Sequence, residues 1–192
     1  MRRQHGVVSF LLAICLAFCL TGCGSSTAFL HEEADWGFYE KVGVLPFASL
    51  TNDRLAGDKM SSAFTSHLLF ARNFNVAEPG QFLAAYTTAI GANTSPPIGL
   101  PLDKLKSLGE AAGVQAIFEG TVRDYNEGAN AGRPLISVEV RLVDVGTGTI
   151  VWSTSLTRRG GAAVPLLGLG GSRTLPELTE SVAAELVDRL PD

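Results

Sequence analysis

The chain has 192 residues, 46% of them apolar and 18% charged, with a formal charge of −4. An acidic chain without clustered Lys and Arg is a poor match for nucleic acid, whose phosphates must be neutralised. Its three cysteines are Cys15, Cys19 and Cys23, so everything beyond position 23 lacks a disulfide, a cysteine zinc site and a cysteine nucleophile.

The apolar excess is concentrated at the start. Residues 7–20 hold only apolar side chains and one serine, behind Arg2, Arg3 and His5. A permanent membrane helix needs about 20 apolar residues. This shorter run reads as a signal peptide over residues 1–22. It ends in Leu20-Thr21-Gly22-Cys23, which has the form of a bacterial lipobox: small residues fit the signal peptidase, and the Cys23 thiol takes the lipid. Cutting there leaves about 170 residues, enough for one domain with its own core. Gly24-Ser25-Ser26-Thr27 is small and polar, and no sustained period appears before Tyr39. Residues 23–39 therefore read as a lipidated flexible tether, followed by one globular domain over 40–192.

Within that domain, residues 41–47 form a nearly continuous apolar run, the pattern of a strand buried on both faces. Met60, Phe64 and Leu68 then recur every four residues, which predicts a helix over 55–71. Residues 74–77 make a short strand, and Pro79 opens a helix containing Phe82, Leu83 and Tyr86. Gly91, Pro96, Pro97 and Gly99 mark a loop. The next helix carries Leu102, Leu105, Leu108 and Ala112, with Gly113 placed to end it. Three alternating segments follow, on Ala116–Phe118–Gly120–Val122, Ile136–Val138–Val140–Leu142 and Ile150–Trp152–Thr154–Leu156; period two marks half-buried antiparallel strands. The turn over 144–149 joins the last two as a hairpin. Thr174 and Glu177 have capping-box spacing ahead of Leu178, Val182, Leu186 and Leu190. The order β-α-β-α-α-β-β-β-α predicts an α/β (α+β) domain: a single mixed β-sheet with helices packed on it.

Candidate chemistry is sparse. His31, Glu32, Glu33 and Asp35 lack the second histidine of a zinc-protease pattern and read as a solvated acidic linker. His67 borders the first helix's apolar stripe and reads as a packed or surface histidine. Gly168-Leu169-Gly170-Gly171-Ser172 lacks the Gly-Lys-Ser/Thr ending of a phosphate loop, and no nucleophile elbow occurs. Glu119 and Glu139 fall on polar strand faces, where solvation and cross-strand pairing with Arg123 or Arg141 account for them. No catalytic constellation, metal site or cofactor site is expected. Val164, Leu166, Leu167 and Leu169 make an apolar loop that is a candidate partner contact.

Lys41-Val42-Gly43-Val44-Leu45-Pro46-Phe47 resembles the opening strand of envelope proteins related to the curli secretion lipoprotein CsgG, a domain type also found in TolB and LpoB. Leu108-Gly109-Glu110-Ala111-Ala112-Gly113-Val114-Gln115-Ala116, with Gly120 beyond it, is similar to that family's glycine-alanine step. The hairpin from Leu142 through Thr147-Gly148 to Trp152-Ser153 looks like its late hairpin. The resemblance covers residues 41–156. It implies an outer-membrane lipoprotein facing the periplasm, with Gly24 after Cys23 consistent with outward sorting. Such a protein would be a non-enzymatic accessory in an envelope assembly or secretion system. Its partners would be the membrane, through the lipid, and other envelope proteins, with a homo-oligomer possible and no nucleic acid. The alternatives are a regulator docked on a cell-wall synthase and a small-ligand-binding domain. No pore is expected, because residues 124–133 and 160–173 lack the two alternating stretches of about 9–11 residues that a membrane hairpin needs.

Overall fold

The computed structural model describes residues 28–71, 74–91, 98–128, 133–161 and 174–191. In chain order the described elements are β1 (Ala28–Leu30), a 3-10 turn at Trp36–Phe38, β2 (Lys41–Val44), β3 (Ala48–Ser49), α1 (Ala56–Ala71) and β4 (Asn75–Val76). Then come α2 (Pro79–Ile90), α3 (Leu102–Ala112), β5 (Ala116–Asn126), β6 (Leu135–Asp144), β7 (Ile150–Arg159) and α4 (Leu175–Val187). The strands join in one mixed sheet in the order β1-β7-β6-β5-β2-β4, with β3 also on β5. Pairing is antiparallel from β1 to β5 and parallel among β5, β2 and β4. The expected mixed α/β sheet is what forms.

The two faces are filled differently. One carries the larger core: Phe118, Val122, Val138, Val140, Leu142 and Trp152 from the sheet meet Met60, Phe64 and Leu68 of α1 and Leu178, Val182 and Leu186 of α4. On the other face Leu45, Ile117 and Val143 pack against Phe82 and Tyr86 of α2 and Leu105 and Leu108 of α3. This second core covers one end of the sheet only. Beyond it β5, β6 and β7 show their polar alternates, as a half-covered antiparallel sheet does.

Three local devices fix the frame. Phe47 follows Pro46, which has no N–H to give a ladder, so the expected strand over 41–47 stops at Val44 and resumes on β5 at Ala48. The Phe47 ring lies where a Cβ on Gly120 would stand, 2.4 Å away. Gly113 takes φ 63° and ends α3. Thr174 and Glu177 form the expected capping box at the start of α4. That helix stops at Val187, so Leu190 is buried from a turn beyond it.

The tether expected over 23–39 needs correction. Ala28–Leu30 is an edge strand paired with β7, Ala28 opposite Thr154 and Leu30 opposite Trp152. Tyr39 is buried and its hydroxyl donates to Asp144 at 3.1 Å. A three-residue edge strand has no period to read, because its place is set by a partner more than a hundred residues away. Cys23 and the lipobox residues Leu20, Thr21 and Gly22 lie outside the described residues, as do Val164, Leu166, Leu167, Leu169 and the glycine run at 168–172.

Candidate functional site

Four charged side chains gather on the open face of β5 and β6. Antiparallel register sets Glu119 opposite Arg141 and Thr121 opposite Glu139. Arg141 donates from Nε and Nη2 to Glu119 Oε2, at 2.9 and 2.6 Å. Arg123 pairs with Glu139. Leu50, Ile98 and Gly99 wall this patch, which is a cleft of about 350 Å³. The cross-strand pairing expected for Glu119 and Glu139 is present, but Glu119 is not solvated: its residue is only 5% exposed. Its Oε1 is buried without a hydrogen-bond partner, and so is the Tyr86 hydroxyl. Burial first, and then the Glu119 charge, push the Tyr86 phenol up. The alternation of β5 shows Glu119 among polar positions; its burial comes from α2 and the Ile98–Gly99 wall, which no local pattern reveals.

The patch holds two ion pairs and, among the described residues, no nucleophile with a base in hydrogen-bond reach. Among the described residues no group of three or more His, Cys, Asp and Glu could hold a metal ion. His31 and His67 stand apart: His31 Nδ1 accepts from the Glu33 N–H, and His67 Nε2 lies 3.1 Å from Glu180 across α1 and α4. No described helix is long and apolar enough to cross a membrane.

A second concavity of about 320 Å³ runs between α1 and α2, lined by Val44, Pro46, Ser62, Leu69, Phe82 and Leu83. Leu69 and Leu83 are exposed at its rim, and Phe70, the next residue along α1, is 83% exposed. Behind the sheet, Arg158 and Arg189 both hold Glu185. Burial raises that carboxyl, but the two guanidinium groups outweigh it and bring the group below its ordinary range.

These features define a helix-backed mixed sheet with one polar, ion-paired open face. Two structures of the PelC dodecamer from Paraburkholderia phytofirmans, one a point variant, share this fold. They are 19% and 18% identical, cover 85% of this chain and 96% and 94% of theirs, and have TM-scores of 0.57 and 0.55. The lipoprotein GNA1162 from Neisseria meningitidis is 20% identical over 78% of this chain and 99% of its own, with a TM-score of 0.55. The likeness is one of fold. No protein-family model and no curated protein sequence matches the chain.

Proposed function

We propose that the chain is an envelope lipoprotein whose acylated Cys23 holds the α/β body at the periplasmic face of the outer membrane. There it acts as a non-enzymatic assembly component, touching copies of itself and other envelope proteins and making no pore of its own. The observation that carries this reading is the lipobox Leu20-Thr21-Gly22-Cys23 standing directly ahead of a fold that a Neisseria lipoprotein shares. Each buried CH₂ is worth about 0.8 kcal/mol, so two or more acyl chains make a durable anchor where one is marginal. Self-association is supported by the dodecameric state of the PelC structures. The apolar side chains Val164, Leu166, Leu167 and Leu169 are the proposed partner contact.

Replacing Cys23→Ala is expected to move the body from the membrane to the soluble periplasmic fraction. Mass spectrometry of the native amino-terminal peptide is expected to show acyl mass on Cys23, and an unmodified thiol there overturns the reading. Cross-linking in native membranes is expected to give a ladder of homo-oligomers that stops at a discrete top band.

A further inference from the structure

The register of β1 carries information about how the body stands on its membrane, provided that Cys23 is the lipid site proposed above. β1 runs antiparallel to β7, from Ala28 opposite Thr154 to Leu30 opposite Trp152. Its amino end is therefore directed towards the Arg159 end of β7. Five residue steps separate Cys23 from Ala28, a reach of at most about 18 Å when fully extended. The Arg159 end lies five residues along β7 from Thr154, or about 17 Å. The lipid and that end of the sheet are thus within one spacer length of each other.

The two ends of the sheet differ in charge. At the Arg159 end, Arg159 pairs in register with Leu135, and the Gly160 N–H donates to the Pro134 carbonyl, so Arg133 and Arg159 flank one corner. Both are exposed, and neither has a carboxylate within ion-pair distance among the described residues. Arg158 is held by Glu185, while Asp124 and Glu127 also stand at this end and leave it near neutral. The opposite end carries the β6–β7 turn and the crossing from β1 to β2, pinned there by Tyr39 on Asp144. That crossing exposes Glu32, Glu33, Asp35 and Glu40; Glu110 at the end of α3 is nearby, with Lys106 and Lys41 beside it, and the balance of this end stays acidic. The length of β7 puts about 30 Å between the ends, several times the screening length of about 8 Å in physiological salt. An anionic bilayer surface therefore acts on one end at a time, attracting the free guanidinium groups and repelling the acidic crossing.

We propose that the body stands on the bilayer by its Arg133/Arg159 corner, these two side chains meeting lipid phosphates while the acidic end points away. The partner is the phospholipid surface that bears the anchor.

The test uses the purified acylated lipoprotein in vesicles of phosphatidylethanolamine with a minority of phosphatidylglycerol and a headgroup-borne quencher. With Cys23 acylated, Thr157→Cys or Glu110→Cys supplies a single free thiol for a fluorophore. Quenching is expected at position 157 and not at position 110. The double substitution Arg133→Glu with Arg159→Glu is expected to lose the quenching at 157 while leaving the melting temperature and the acyl mass unchanged. Equal quenching at both positions, stronger quenching at 110, or no effect of charge reversal on an acylated protein overturns the orientation and leaves the anchor standing. A Cys23 peptide without acyl mass overturns both.

Discussion

Tyr39 closes the crossing between β1 and β2 onto the sheet, its hydroxyl donating to an Asp144 that is itself buried. Burial, and then the Asp144 charge, push the phenol up to about 12. The folded value stands above the unfolded one of about 10, so the contribution of the protonated group is complete below that pH and is lost as the pH rises through about 12. Tyr39→Phe is expected to cost about 1–2 kcal/mol near neutral pH. The gap between variant and native protein should then narrow from pH 10 to 12, as read by urea unfolding at each pH. Parallel curves would remove Tyr39 from the alkaline transition. The two cross-strand pairs make a second comparison. Arg141→Ala strands a carboxylate whose side chain is 6% exposed, and loss of one partner from a buried pair costs about 3 kcal/mol or more. Arg123→Ala opens a pair with side chains 60% and 35% exposed, worth under about 1 kcal/mol. Equal losses in the two variants would mean that Glu119 relaxes into water.

At the scale of elements, the break between β2 and β3 is held by two glycines. A Cβ on Gly57 would lie 1.9 Å from the Phe47 carbonyl oxygen, and one on Gly120 would lie 2.4 Å from the Phe47 ring. Gly57→Ala meets backbone and is expected to cost about 3 kcal/mol, near the upper end for overpacking. Gly120→Ala meets a side chain, so its cost should shrink in a Phe47→Ala background, a non-additivity that a double-mutant cycle in thermal unfolding measures. Elements whose signals are local were legible in the sequence. The Met60–Phe64–Leu68 stripe, Gly113 and the capping box stand within a residue or two of expectation; the three alternating strands begin within a residue of it, while β5 and β7 run three or more residues further, to Asn126 and Arg159. What was not legible depends on distant partners: β1 exists through β7, and Glu119 is buried by α2 and the loop wall. Gly120 inside an alternating strand was a signal of close backbone approach, although it did not name Phe47 as the neighbour. The open-face charges were readable as pairs, but the cleft around them was not.

On the scale of the whole molecule, the edge strand changes what the proposed anchor at Cys23 would do. If residues 23–39 were all tether, the body would wander tens of ångströms from the lipid. With β1 in the sheet, only the four residues 24–27 separate Cys23 from the fold. Two guanidinium groups bind a lipid surface weakly on their own, and with Cys23 acylated as proposed the short spacer would make their contact intramolecular. Its effective concentration falls roughly as the −3/2 power of linker length, so extending the four-residue spacer to about 20 residues with Gly and Ser lowers it about tenfold. The inserted stretch enters no described strand or helix, so the melting temperature and the acyl mass should not change. The label at position 157 should lose most of its quenching, more so the longer the spacer. Unchanged quenching would mean that the body is held against the bilayer by a surface strong enough to need no nearby anchor. The sheet register would then not be what orients it.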